Sequence, residues 1–211
     1  MKSGMKLPKL YPIVDRTTLA AHGITVGAFV AELAAAGVEM VQYRDKSGSP
    51  QEILLAAVEI AAAFAGVDAT LILNDRADLA VLAGWGVHVG HLDLAPEDAR
   101  RVVGAGRVVG VSTHNDAQVI AADAGEADYV AVGPVFATLT KVDAEPVIGL
   151  EGVRRARALT RKPLVAIGGI TRENARSVID AGADSVAVIG GLLVRGERPG
   201  KVAEDFLEIL R

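Results

Sequence analysis

Residues 162–193 read KPLVAIGGITRENARSVIDAGADSVAVIGGLL. The stretch holds an apolar run, a glycine pair, a segment of helical periodicity, a second apolar run and a second glycine pair. The runs at 164–167 and 185–189 predict buried strands, and 171–181 predicts the helix between them. Both strands then end in bare backbone. Glycine lets the chain turn tightly and lets a ligand approach main-chain N–H groups, so paired turns of this kind build an anion site. One glycine pair alone is equally well explained as a turn. Two pairs at equivalent places, followed by a single further helical segment before Arg211, match the phosphate-binding loops after the last two strands of a (β/α)8 barrel.

The same alternation extends back along the whole chain. Strands are predicted at 10–14, 39–43, 70–73, 86–88, 108–111, 129–132, 164–167 and 185–188. Helices are predicted at 25–36, 49–65, 76–83, 95–103, 116–124, 150–159, 171–181 and 201–210. Gly37, Gly66, Gly84, Gly125 and Gly182 stand just past helix ends, where a glycine C-cap belongs. Near-continuous apolar strands need cover on both faces, and successive βα units wind with one hand. The reading is therefore an α/β protein, a (β/α)8 TIM barrel in a single domain over residues 1–211, with a doubly wound open sheet as the alternative.

Composition narrows the function. The 211 residues are 51% hydrophobic and 4% aromatic, with a net charge of -4, pI ≈ 5.6, mean hydropathy +0.34 and no cysteine. That balance offers no electrostatic footprint for nucleic acid or an anionic membrane, and it excludes thiolate chemistry. No apolar span reaches membrane length, so a cytoplasmic protein acting on small molecules is expected. Oligomeric state is left open, and a homo-oligomer is allowed.

In a barrel of this kind, ligand chemistry belongs on the loops after each strand. Gln42, Arg44 and Lys46 alternate and so share one face, an amide and two cations suited to a phosphate or pyrophosphate. Asp75 and Asp93 each follow a strand on neighbouring units. Carboxylates brought together at a barrel mouth repel, which a divalent cation such as Mg²⁺ relieves; Asp75 also has the alternative role of helix N-cap. His88, His91 and His114 lack the spacing of a transition-metal motif, His88 reading as a hydrogen-bonded residue at the rim and His114 as a general base or a loop donor. Thr138, Leu139, Thr140 and Lys141 lie in the longest strand-to-helix connection, 133–149, whose length suits a segment closing over a ligand.

The segments LYPIVD (10–15), VQYRDK (41–46), LILNDRADLA (71–80), GVHVGHLDL (86–94), VVGVSTHN (108–115), DYVAVGPVFATLTK (128–141), VAIGGI (165–170) and ADSVAVIGGL (183–192) together resemble the thiamine phosphate synthase family. The resemblance implies a Mg²⁺-dependent transferase that joins hydroxymethylpyrimidine pyrophosphate to thiazole phosphate and releases pyrophosphate. It implies that Gln42, Arg44 and Lys46, helped by Asn74, Ser112 and Lys141, hold the pyrimidine substrate and its pyrophosphate, with Arg44, Ser112 and Lys141 serving the reaction itself. Asp75 and Asp93 match the metal ligands, and Thr138 and Thr140 match residues that contact the thiazole. Backbone around Gly168, Gly169, Ile189 and Gly190 matches its phosphate site. Three positions depart from the family pattern: His91 where glutamine is usual, Leu139 where lysine is common, and Gly190 where serine is frequent.

A thiazole tautomerase of the same family, an isomerase with a working histidine, is the alternative activity. A non-catalytic phosphate-ligand sensor is the alternative from another class. Asp75, Asp93, Arg44, Lys46 and Lys141 together favour the synthase, because proton transfer alone does not call for a magnesium and pyrophosphate grip.

Overall fold

Eight parallel strands pair in sequence order, and the last returns to the first. The computed structural model describes residues 6–138 and 146–211. The strands are β1 (Leu10–Asp15), β2 (Met40–Arg44), β3 (Thr70–Asn74), β4 (Gly86–Val89), β5 (Val109–Thr113), β6 (Tyr129–Val132), β7 (Leu164–Ile167) and β8 (Ser185–Val188). They form a closed barrel, with Leu10 of β1 opposite Val186 of β8. The predicted open-sheet alternative is thereby excluded, and the (β/α)8 reading holds.

Alternation along each strand sorts the side chains into two layers. Tyr11, Ile13, Met40, Ile72, Tyr129, Ala131, Val165 and Ala187 pack together inside the barrel. The residues between them, among them Val14, Val41, Leu73, Val87, Val109, Val130, Leu164 and Val186, pack outward in a second cluster that includes helix residues such as Phe29, Ile60 and Phe206. Burying each such large side chain contributes roughly 1.5–3 kcal/mol. Small residues make the interior fit. A Cβ on Gly110 would overlap the Tyr129 ring, whose Cε1 lies 2.5 Å from that position.

The covering helices are α1 (Arg16–Ala21), α2 (Val26–Ala35), α3 (Pro50–Ala63), α4 (Ala77–Ala83), α5 (Pro96–Val103), α6 (Asp116–Ala124), α7 (Gly149–Leu159), α8 (Ala175–Asp180) and α9 (Pro199–Ile209). Local chemistry starts several of them. Ser49 and Glu52 form a capping box at α3 with Pro50 in its first turn, and the side chains of Thr25 and Asn115 cap α2 and α6. None of the helices described is long and apolar enough to cross a membrane.

One sequence expectation is corrected. Helix α1 follows β1 directly and was not predicted; it is short, and its cap is Asp15 at the strand end. The expected glycines stand at the helix ends: Gly37, Gly66, Gly84 and Gly182 have positive φ, and Gly125 caps α6 in extended backbone, with φ -87°. A Cβ at 125 would stand 2.6 Å from a carboxyl oxygen of the exposed Glu97 side chain, which would have to move aside.

The end of the barrel opposite the strand exits is closed by two matching clamps. Arg100 of α5 pairs with Asp128, which also accepts the Val109 N–H at 2.8 Å. Arg157 of α7 pairs with Asp184 at 2.9 Å, and Asp184 accepts the Leu164 N–H at 2.8 Å. Each clamp ties a helix, the strand that follows it and the start of the next strand.

Candidate active site

Asp15 and Arg44 are register partners at the C-terminal ends of β1 and β2. Arg44 Nη1 donates to Asp15 Oδ2 at 2.5 Å, while Asp15 Oδ1 accepts the N–H and hydroxyl of Thr18 at 2.8 and 2.7 Å. One carboxylate therefore caps α1 and aims a guanidinium, leaving the other guanidinium donors for a ligand. Gln42, two residues earlier on the same face, is buried and donates from Nε2 to the Tyr11 hydroxyl at 2.9 Å. Asp45 faces the other way and accepts from Arg16 at 3.0 Å and from the backbone N–H groups of Ser47 and Gly48 at 3.0 and 2.8 Å. Burial opposes its charge, but those N–H groups and Arg16 together lower its pKa. The loop that presents Lys46 is thus anchored from behind.

Lys46 reaches across to Asp75, past the end of β3. Asp75 has φ 62°, a left-handed conformation that aspartate and asparagine tolerate better than most residues. The cap of α4 is Arg76, without a side-chain hydrogen bond, so Asp75 does not take the helix-capping role open to it in the sequence. Its carboxyl instead lies within hydrogen-bond reach of Asp93, whose Oδ2 accepts the Gly90 N–H at 2.9 Å. Burial first, and the neighbouring Asp93 second, raise the Asp75 pKa against the pull of Lys46. Asp93 is lowered: its burial is outweighed by hydrogen bonds from Asp75 and from the Gly90 N–H and by the charge of Lys46. The two carboxyls thus push each other's titration in opposite directions, Asp75 upward and Asp93 downward, with Lys46 beside them. Two neighbouring carboxyls offer the hard oxygen donors that suit Mg²⁺, which takes one or two protein carboxylates.

Below this cluster, His88 of β4 is buried between two hydroxyls. Its Nδ1 lies 2.9 Å from the Tyr129 hydroxyl and its Nε2 2.8 Å from Ser112 Oγ. His88 is thus hydrogen-bonded at the rim, as its sequence context predicts. Asn74, the last residue of β3, is half-buried beside it as the register partner of His88. His114 is a loop donor: its Nδ1 lies 2.8 Å from the Gly133 carbonyl, and its backbone N–H donates to Gln118 at 2.7 Å.

The glycine turns come together on the far side of the mouth. Gly168 and Gly169 have φ 105° and 62°, and a Cβ on Gly168 would stand 2.5 Å from Cβ of Pro134. The Val135 and Phe136 N–H groups donate to the carbonyls of Ile167 and Gly168 at 2.9 and 3.0 Å, so the 133–136 segment is laid on this turn. Ile189 leads into a 3₁₀ turn, Gly190–Leu192, whose first N–H groups have no partner within the turn. Thr138 is half-buried, whereas Leu139, Thr140 and Lys141 lie outside the described residues.

A family model described as thiamine monophosphate synthase matches residues 10–192, from β1 to the 3₁₀ turn after β8. The chain belongs to the thiamine monophosphate synthase family. It is similar to the thiamine-phosphate synthase of Koribacter versatilis, with 55% identity over 100% of this chain and 99% of that one. Similarity to the thiamine-phosphate synthase of Methanoculleus marisnigri is 43% over 89% of each chain. Among solved structures, the thiamine phosphate pyrophosphorylase from Pyrococcus furiosus superposes with TM-score 0.85 at 31% identity, covering 96% of this chain and 95% of that one. A 3-hexulose-6-phosphate synthase, at 19% identity and TM-score 0.67, shares the fold alone.

Within this member of the thiamine monophosphate synthase family, the residues singled out in the sequence fall into three groups. Lys46, Asp75 and Asp93 form one cluster, Gln42 and Ser112 end one hydrogen-bonded chain through the barrel, and Gly168, Gly169, Ile189 and Gly190 lie on the turns after β7 and β8. Arg44 is held apart from Lys46, towards β1. Tyr11 and Tyr129, and the pairing of Asp15 with Arg44, were not foreseen. The available signal was a tyrosine at an inward position of β1 and of β6.

Proposed function

We propose that the chain is a thiamine-phosphate synthase, a transferase that condenses hydroxymethylpyrimidine pyrophosphate with thiazole phosphate. The observation that carries this reading is the cluster of Lys46, Asp75 and Asp93, a paired-carboxylate and cation site on neighbouring strand ends, with Arg44 held by Asp15 on the β1 side of Lys46. The bond between the pyrimidine methylene carbon and the pyrophosphate oxygen breaks, its electron pair leaving with pyrophosphate, and the thiazole nitrogen lone pair then forms the new C–N bond. No protein nucleophile takes part.

Asp75 and Asp93 would hold Mg²⁺, which when bound supplies positive charge to the departing pyrophosphate. Arg44, aimed by Asp15, meets pyrophosphate as a fork, and Lys46 meets it as a point charge. Lys141 adds a cation to the leaving group from the 133–149 connection. Gln42, Asn74 and Ser112 orient the pyrimidine, Thr138 and Thr140 contact the thiazole, and backbone at Gly168, Gly169, Ile189 and Gly190 takes its phosphate. A chain without cysteine whose described helices are too short to span a membrane supports a cytoplasmic setting.

The test is product formation from both substrates with Mg²⁺ and with EDTA. Thiamine phosphate formed only with the metal supports the synthase. No product from folded protein that still binds thiazole phosphate removes it in favour of the isomerase or the sensor.

A further inference from the structure

Five polar side chains form one chain of hydrogen bonds through the barrel interior: Gln42, Tyr11, Tyr129, His88 and Ser112. With Gln42 Nε2 as donor, the direction of each bond follows from the requirement that every buried hydroxyl proton in the chain find an acceptor there. Gln42 Nε2 can only donate, so the Tyr11 oxygen accepts at 2.9 Å. The Tyr11 proton then goes to the Tyr129 oxygen, 2.9 Å away. With its oxygen accepting from Tyr11, Tyr129 donates to His88 Nδ1 at 2.9 Å. Nδ1 is therefore unprotonated, the ring proton sits on Nε2, and Ser112 Oγ accepts it at 2.8 Å. A doubly protonated His88 would point a second proton at the Tyr129 oxygen and strand the Tyr129 proton in a fully buried place, which is costly.

Packing holds the arrangement. The Tyr129 ring stacks on the His88 ring at 5.5 Å with an interplanar angle of 22°, and meets Tyr11 edge-on at 6.0 Å. Burial raises the pKa of both phenols, so both remain donors. Gly110 leaves the space that the Tyr129 ring fills.

We propose that Tyr129 is a positioning residue that fixes His88 as the Nε2–H tautomer, so that Ser112 accepts from the ring and turns its own hydroxyl proton towards an acceptor atom of the ligand. The tautomer is a property of the free protein, whereas the contribution of Ser112 to turnover rests on the synthase reading. The hydrogen bond at one ring nitrogen of a histidine sets the chemistry at the other. Here that influence passes one atom further, to a hydroxyl at the mouth.

Long-range nitrogen–proton correlation spectra of the full chain labelled at histidine, at mildly alkaline pH, read the tautomer directly, with His88→Gln assigning the signal. The expected wild-type result is a protonated Nε2. In Tyr129→Phe the preference collapses towards a mixture and kcat/KM falls by about tenfold, the scale on which partners that orient a histidine act. The same change in a Ser112→Ala background adds little further loss, which a merely structural role would not produce. A wild-type His88 protonated on Nδ1 overturns the proposal, because it reverses every donor back to the Gln42 amide. So does a Tyr129→Phe protein with unaltered tautomer, or with additive losses. A folded wild-type protein that makes no thiamine phosphate would instead sink the reaction assignment, and the spectra would still decide the tautomer.

Discussion

Asp15 holds Arg44 at 2.5 Å with one carboxylate oxygen and caps α1 with the other, so the first two strands of the barrel share a single buried anion at their ends. Asp15→Asn keeps the capping oxygen and weakens the grip on Arg44. The expected result is a loss of about 1.5–3 kcal/mol in urea unfolding, the worth of a hydrogen bond to a charged group, together with a higher KM for the pyrophosphate substrate. Unchanged KM in a folded variant would show that Arg44 finds its place without Asp15.

Asp93 faces Asp75 with Lys46 beside both. Asp93→Ala is expected to lower Mg²⁺-dependent turnover by about a hundredfold or more, the scale of losing electrostatic stabilisation at a developing charge. Mg²⁺ should also raise the melting temperature of the wild-type protein and not that of the variant, since a ligand stabilises only the state that binds it. Equal protection of both proteins would remove Asp93 from the metal site.

Asp123 accepts the Thr160 hydroxyl at 2.5 Å and the Arg161 N–H at 2.8 Å, and the Thr160 bond is the largest cause of its lowered pKa. A carboxylate held below its unfolded value stabilises the fold above that value, and this stability disappears as pH falls through the folded pKa. Asp123→Asn should therefore cost about 1 kcal/mol at neutral pH, with the two unfolding curves converging on acidification below the ordinary carboxylate range. A difference independent of pH would assign the loss to packing.

The two clamps at the closed end differ in burial. Arg100 has a side chain 10% exposed and also donates to the carbonyl of Gly104 at 3.0 Å, whereas that of Arg157 is 29% exposed. Arg100→Met leaves Asp128 and the carbonyls of Gly104 and Glu126 without their cation, with an expected loss of about 3 kcal/mol. Arg157→Met, nearer solvent, should cost less. Equal losses in matched denaturation curves would mean that burial does not set the worth of these clamps.

The sequence by itself determined the eight βα units, the end of the barrel that carries polar chemistry, and the glycine turns after β7 and β8. Those features are local: strand alternation, helical periodicity, caps and turn residues act within a few positions of one another. Helix α1 escaped because it starts directly at the end of β1, with the last strand residue Asp15 as its cap and no turn residue to mark the boundary. Gly125 stands at the helix end as the sequence indicates, although its backbone is extended rather than left-handed. Only the tertiary structure decided which polar groups meet. Tyr11 and Tyr129 touch across 118 positions of sequence, Lys46 and Asp75 across 29, and Arg44 and Asp15 across 29. Closing the barrel turns every second side chain towards one axis, and the partner each finds there depends on strand register and tilt, which no local pattern records.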